Sequence, residues 1–372
     1  MSYKSKLLYH RTPSGKLKTW QSFSEGDEVW TETAEVGSDP RASAPTKHQA
    51  MNVGRSNERS AEQVAIDRAK SKEKDKLDSG YVDSVEKIEQ QDRIPRAMLA
   101  QPNLLKYQAQ VEKSIELGRV YSQPKLDGFR CLANRDGLWT RNLRPIDTCP
   151  HIWNSVESLF EEYPDLVIDG ELYNHEFKDD FGKIQSLITK ENADFISMME
   201  TEDKVFFYVY DFVMEKPFKD RLLTGRKLIE GRNHLIQVKT SKVRNFDDIA
   251  RMHASNVEQG YEGTMVRTSS KSYEQNKRST QLIKFKDFFD EEFTIVSVNE
   301  GKGQWAGYAK SITLRMDNDE TFNAGCKGSM PQLKSLLENS ERYEGGKATV
   351  EFTQKFPSGK PRFPVASKYY TR

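Results

Sequence analysis

Lys125-Leu126-Asp127-Gly128-Phe129-Arg130 sets a lysine two residues ahead of an Asp–Gly pair, and Val167-Ile168-Asp169-Gly170-Glu171-Leu172 carries that pair again inside an apolar run. Taken alone, the first segment reads as a surface turn with a charge pair; its meaning depends on the ordered segments downstream of it. The second reads as a strand. Side chains alternate on a strand, so Asp169 and Glu171 share one face while Ile168, Gly170 and Leu172 share the other. Two carboxylates on one face repel each other unless a cation, a ribose hydroxyl or a neighbouring lysine compensates. Without such a partner the run would be an exposed edge strand with solvated acids.

Three further stretches extend the series. Val205-Phe206-Phe207-Tyr208-Val209-Tyr210-Asp211-Phe212 is aromatic enough for a core strand, and one ring lying flat on a purine is a second use for it. Gly260-Tyr261-Glu262-Gly263-Thr264-Met265-Val266-Arg267 sets one carboxylate between glycines at the start of a strand, where a metal could approach closely. Leu282-Ile283-Lys284-Phe285-Lys286 alternates so that Lys284 and Lys286 share a face opposite Ile283 and Phe285. Two parallel ammonium groups beside a buried face call for an anion, which a triphosphate supplies; a lysine-guarded sheet edge is the plainer reading.

Around this series the chain divides into parts. Its 372 residues suffice for two or three domains. Residues 1–82 begin with a hairpin, Leu7–His10 and Leu17–Trp20 about the turn Pro13-Ser14-Gly15. A Gly-, Ser-, Pro- and Asn-rich loop comes next, over 37–57. Ser60 then reads as the N-cap of a helix, with Gln63 in the capping-box position, that ends at Ser79-Gly80-Tyr81. The charged run from Asp83 to Arg93 reads as a linker (83–94) or a solvated helix. An α/β region spans 95–287. Residues 288–372 promise strands at Phe293–Val298, Ser311–Met316, Thr321–Ala324 and Ala348–Phe352 with one helix, Pro331–Leu337, which suits a small barrel of the OB type.

Composition excludes more than it names. No apolar run approaches the roughly 20 residues of a membrane span, and Met1–Lys6 shows no secretory core. Cys131, Cys149 and Cys326 cannot build a four-cysteine zinc site or a disulfide framework. A cytoplasmic setting, in a host or a bacterium, is the expectation. A net charge of +1 neither demands nor excludes nucleic acid, since only local patches displace counterions.

The order K-x-D-G, D-G-E, aromatic–Asp strand, E-G-x-M-V-R and L-x-K-x-K resembles the nucleotidyltransferase superfamily of ATP-dependent DNA ligases, RNA ligases and mRNA capping enzymes. Within it the chain looks most like the compact DNA ligases of viruses and phages. Thr140-Arg141-Asn142-Leu143-Arg144-Pro145-Ile146 and Pro361-Arg362-Phe363-Pro364-Val365 add to the likeness. The resemblance implies an α/β nucleotidyltransferase domain, with ATP-grasp-like antiparallel sheets and helices, followed by an OB-fold β-barrel and preceded by a small N-terminal α+β module. That module, with Trp20, Asn52-Val53-Gly54-Arg55 and Ser79-Gly80-Tyr81, weakly resembles WGR modules; a structural extension packed on the catalytic domain is the alternative.

Carried over residue by residue, the resemblance makes Lys125 the lysine that takes AMP from ATP. Gln123 would read the adenine edge and Tyr210 would stack on it, while Glu171 holds the ribose. Arg130 lies near the nucleotide and Arg267 helps bind it. Lys284 and Lys286 meet the phosphates, and Glu262 with Asp169 holds Mg²⁺ or Mn²⁺. Arg141 would approach the 5′-phosphate of a nick, with Lys360, Arg362 and Lys368 on duplex DNA. The implied partner is nicked duplex DNA, without a membrane, met by a monomer in replication, repair or recombination. The C-terminus departs from the pattern: relatives often end in R-x-D-K, and here only Lys368 or Arg372 offers a substitute.

An ammonium has no lone pair, so Lys125 must lose a proton to attack, and nearby cations would favour that loss. An RNA ligase and a GTP-using capping enzyme stand as alternatives in the same superfamily, and a non-catalytic DNA-repair scaffold stands outside it. An NAD-dependent ligase is disfavoured, because those relatives carry an upstream NAD module and a zinc site.

Overall fold

The computed structural model describes residues 2–12, 14–190, 193–356 and 358–372, so Pro13 of the predicted hairpin turn lies outside the described residues. At the N-terminus an antiparallel sheet forms about the strands Leu17–Glu25 and Glu28–Glu35, with Ser2–Lys4 and Leu8–Arg11 both pairing the first of them. Trp20, Ser22 and Ser24 alternate onto one face because the strand's period is two, and the helix Ala61–Asp78 covers that face. Ser60 caps this helix by accepting from the Gln63 backbone N–H at 3.1 Å. The Gln63 side chain turns to Asp67 instead, so only half of the expected box forms. Residues 37–57 are not all loop: Arg41–Ala42 and Thr46–Lys47 add short strands to the sheet.

Of the two readings for the run after residue 83 the helix is the one that forms, mostly solvated but with one face buried. Val85–Arg93 is a helix capped by Ser84 that buries Ile88 and Gln91. It packs against the strand Leu8–Arg11, and Gln91 bonds to the turn at Leu143.

Two five-stranded sheets then face each other. One runs in the order Gly137–Thr140, Phe129–Asn134, Ile168–Tyr173, Phe206–Phe212, Leu235–Gln237; the other runs Ser241–Lys242, Val120–Lys125, Gly263–Thr268, Arg278–Phe285, Leu99–Gln101. Each is antiparallel save for one parallel edge strand. The outer face of the first sheet packs Cys131, Ile168, Leu172, Phe207 and Val209 against the helices Pro150–Glu162 and Phe181–Ile188. The second packs Val120, Val266 and Ile283 against the helices Gln108–Glu116 and Phe246–Glu258. With helices outside, the inner faces are left to line a cleft.

Three residues, Lys286, Asp287 and Phe288, lead from the last motif strand of the second sheet into Phe289–Glu300, the first strand of a closed five-stranded barrel. The barrel closes because Val365–Tyr370 pairs on both sides, with Thr321–Cys326 and with Lys347–Phe352. Packed on it are the helix Met330–Glu338, with the capping box Ser329/Gln332, and the short helix Ser340–Tyr343.

Candidate active site

Lys125 ends its strand directly opposite Gly263, and the Glu262 N–H donates to the Lys125 carbonyl at 3.1 Å. That register brings the lysine of one motif against the acid of another. Gly263 is required there: its φ is +149°, and a Cβ would lie 2.4 Å from the Phe285 carbonyl oxygen. The Lys125 ammonium donates to Glu262 Oε2, and Lys286 Nζ lies 3.3 Å from Glu262 Oε1. Burial pushes the Glu262 carboxyl up, but Lys125 and Lys286 together hold it below its ordinary value. Lys284, on the same face, makes no hydrogen bond or ion pair among the described residues. Burial, followed by the charges of Lys286 and Lys125, holds its ammonium below the usual range.

Of these groups Lys125 and Lys284 line a cleft of about 300 Å³, together with Gln123, Arg130, Glu171 and Tyr210. Glu171 accepts from the Tyr210 hydroxyl at 3.2 Å. Burial raises its carboxyl to about 7 against the opposing pull of Lys125 and Arg130. Two guanidiniums lie near the Tyr210 ring, Arg130 at 5.7 Å and Arg267 at 5.3 Å from its centre. Met265 lines the cleft as well; it stands in the E-G-x-M-V-R motif but carries no assigned role there, because an apolar residue on a strand reads as core.

Gln123 is 1% exposed. Its Nε2 donates to the Tyr210 carbonyl at 3.1 Å and to Thr240 Oγ1 at 2.9 Å, and its Oε1 accepts from Arg267 Nε. One lone pair on Oε1 is left for a ligand's amino group. Arg267 also donates to Asp211 Oδ2 at 2.6 Å, and Asp211 is held on its other side by the fork of Arg221 at 2.8 and 3.0 Å. This buried Arg–Asp–Arg group, which braces the floor, is invisible in the sequence, because Arg221 belongs to no motif.

Asp169 has a task other than the expected metal binding. It is fully buried, and both of its oxygens are engaged, by Arg130 at 2.7 and 3.0 Å and by the Tyr273 hydroxyl at 2.7 Å. Arg130 thus supplies the compensating cation that the paired carboxylates required. Among the described residues no three or more His, Cys, Asp or Glu side chains converge as a metal cage. Glu262 fits Mg²⁺ only in the manner usual for that ion, which takes one or two carboxylates and completes its shell with substrate phosphates and water.

Arg141 stands at the mouth of the cleft, exposed, without a hydrogen bond or ion pair among the described residues. Partial burial and the charges of Arg130 and Arg278 hold its guanidinium below the ordinary value. Arg278, another residue outside the motifs, donates to the Ala100 carbonyl at 2.6 Å. A second chamber of about 430 Å³ adjoins the first, sharing Arg130, Arg141 and Glu171 and adding Asp78, Arg144 and Gln185.

The barrel's cations are not disposed as an open DNA-contacting row. Arg362 is 8% exposed, pairs with Asp127 of the nucleophile's own segment and lies over the Phe181 ring at 4.3 Å. Lys360 pairs with Glu320 at 3.3 Å, and Lys368 lies on the closing strand. Neither Lys368 nor Arg372 lines the cleft. Arg362 is thus a barrel residue that reaches the Lys125–Gly128 segment.

A family model for the ATP-dependent DNA ligase domain matches residues 97–286. The chain is 26% identical over 219 residues to the DNA ligase of Nanoarchaeum equitans, covering 54% of this chain and 38% of that protein. It is 29% identical over 196 residues to the DNA ligase of African swine fever virus (strain Badajoz 1971 Vero-adapted), covering 48% and 44%. With the DNA ligase of Haemophilus influenzae it shares 25% identity over 252 residues, 64% of this chain and 82% of that one. The chain therefore spans less than half the length of the first two relatives. Among solved structures, one from a study of DNA binding by Lig E DNA ligases with a minimal scaffold superposes with a TM-score of 0.62 at 22% identity. That match covers 74% of this chain and 100% of the other, and the likeness is one of fold. No helix among the described residues is long and apolar enough to cross a membrane.

Proposed function

The chain belongs to the family of ATP-dependent DNA ligases, and from that footing we propose that it seals nicks in duplex DNA, with Lys125 carrying AMP between ATP and the 5′-phosphate. The observation that carries the reading is the cluster Lys125–Glu262–Lys286, whose Lys125 lines the cleft between the two sheets.

In the first step the Lys125 nitrogen bonds to the α-phosphorus of ATP in line with the departing oxygen, and the bond to the β-phosphate breaks. The amine must leave its ion pair with Glu262 and shed protons to solvent or to that carboxylate. Lys284 and Lys286 take up charge as pyrophosphate departs. Tyr210 and Met265 sandwich the adenine, with the free lone pair of Gln123 at its amino group and Glu171 on the ribose. Arg267 acts by fixing Gln123. A divalent ion held by Glu262 and the phosphates, Mg²⁺ or Mn²⁺, would spread the negative charge of the equatorial oxygens.

In the second step an oxygen of the nick's 5′-phosphate displaces the lysine nitrogen, which takes back a proton. In the third the 3′-hydroxyl attacks the 5′-phosphorus, AMP leaves, and the hydroxyl proton goes to solvent. Arg141 and Arg130 would steer the 5′-phosphate through the shared wall of the two chambers. For duplex DNA to enter, Arg362 must part from Asp127, so the barrel swings away between steps and offers Arg362, Lys360 and Lys368 to the phosphate backbone.

The test is incubation with α-labelled ATP and Mg²⁺, followed by mass analysis and addition of a nicked duplex. The expected result is an adduct of AMP on Lys125, lost in Lys125→Ala and on chelation of the metal, and discharged by the nicked DNA. A protein that acquires no label with either metal would overturn the reading. Label from GTP in preference to ATP, or sealing confined to nicked RNA, would move it to the capping enzymes or the RNA ligases.

A further inference from the structure

The N-terminal module meets the rim of the cleft at the turn Thr140-Arg141-Asn142-Leu143-Arg144. Within the turn, the Leu143 N–H donates to the Thr140 carbonyl at 2.9 Å and the Arg144 N–H to Thr140 Oγ1 at 3.0 Å. Leu143 is held in the left-handed region, φ +59°, with its side chain 1% exposed. A leucine does not adopt that backbone unaided.

The rest of what holds it comes from outside the catalytic sheets. Asn142 Nδ2 donates to the Asp78 carbonyl at 3.0 Å, and Arg144 pairs with the Asp78 carboxylate, both at the C-terminal end of the module's helix. Gly80, at φ +93°, lies so close that a Cβ there would come within 2.7 Å of the Asn142 carbonyl oxygen. On the other side Gln91 Nε2 donates to the Leu143 carbonyl at 3.3 Å. Asn142, Leu143 and Arg144 are therefore gripped by Asp78, Gly80 and Gln91. Arg141 alone has no side-chain partner among the described residues to hold it in the turn, and its charge lies at the wall shared by both chambers.

We propose that the N-terminal module, with the helix Val85–Arg93, is a positioning element for Arg141. It fixes the turn so that the guanidinium meets the 5′-phosphoryl group of the nick, and it closes one side of the second chamber with Asp78. Ser79-Gly80-Tyr81 is the docking end of its helix, and the module serves the transfer of AMP to DNA rather than its capture from ATP. The effect on rate rests on the nick-sealing reading; the grip on the turn does not.

The test uses the full chain with Gly80→Val, which drives a branched side chain into the Asn142 carbonyl, and separately Gln91→Ala, which removes one hydrogen bond and keeps the fold if Gly80→Val does not. Hydrogen exchange over 140–144 should quicken by about tenfold in each variant. Single-turnover transfer of AMP from preadenylated protein to a nicked duplex should fall roughly ten- to a hundredfold, while self-adenylation stays within about twofold. In an Arg141→Ala background the same variants should cause no further loss, since the group they position is gone. Unchanged exchange in the turn, a parallel loss of both steps, or losses that multiply with Arg141→Ala would each overturn the proposal. Should the wild-type chain take no AMP at all, the nick-sealing reading fails, and the exchange measurement still decides whether the module grips the turn.

Discussion

Replacing Asp211 by asparagine is the sharpest test of how the cleft is held up. The carboxylate is fully buried and accepts from Arg221 at 2.8 and 3.0 Å, from Arg267 at 2.6 Å and from its neighbour's backbone N–H at 2.8 Å. The amide of Asp211→Asn would keep the shape and lose the charge, leaving two guanidiniums buried together with their anion gone. Removing one partner of a buried ion pair costs about 3–5 kcal/mol. For a domain of this size each kcal/mol lowers the melting temperature by roughly 2–4 °C, so the expected fall is about 6–20 °C. Thermal melting followed by circular dichroism reads it, with Glu338→Gln as control. That change removes an exposed pair to Lys334 at 3.7 Å and should cost less than about 0.5 kcal/mol. Because Arg267 also orients Gln123, Asp211→Asn should weaken ATP binding at temperatures where the protein is still folded. A melting temperature close to that of wild type would refute the idea that this anion braces the floor.

Glu171 makes stability depend on pH with a defined sign. Its carboxyl is raised from 4.5 to about 7, so between those values the folded protein holds a proton that the unfolded chain has lost. Stability therefore falls as pH climbs from about 4.5 to 7 and levels off above; urea denaturation at several pH values should show this slope, and Glu171→Gln should flatten it. Lys284→Met, which removes an ammonium with no ion pair of its own among the described residues, should slow self-adenylation by roughly a hundredfold at unchanged melting temperature; an unaltered rate would place the phosphates elsewhere. Arg362→Ala should release the barrel from Asp127, enlarge the radius of gyration in solution scattering and slow self-adenylation by at least about tenfold. Identical dimensions would mean that something else keeps the barrel closed.

How much is legible in the chain before it folds depends on whether a partner lies within one periodic stretch. Lys284 and Lys286 fall on one face, and Ile283 and Phe285 on the other, as alternation requires, because side-chain direction along a strand is a local property. The strands and helix of the barrel are readable for the same reason, apart from Val365–Tyr370, where charged and aromatic residues blur the period. Asp169 reads as a metal ligand because its partners, Arg130 and Tyr273, arrive from other strands and loops, and only folding shows that both of its oxygens are engaged. The clamp of Arg221 on Asp211 and the grip of Gly80 on Asn142 escape for a like reason. A single charged residue or a single glycine carries no signal until its neighbour in space is known.

The connection between sheet and barrel has mechanical meaning. Three residues span at most about 10–11 Å. The first of them, Lys286, is paired with Glu262, and the second, Asp287, has its Oδ1 3.0 Å from His253 Nε2. So short a tether permits the barrel to pivot but not to drift off. Its fulcrum sits beside the Lys286 ammonium, which on the proposed reading meets the phosphates. An anion bound at that ammonium would pull on the pivot, so that the nucleotide would reach the barrel through this tether as well as through the pair of Arg362 with Asp127.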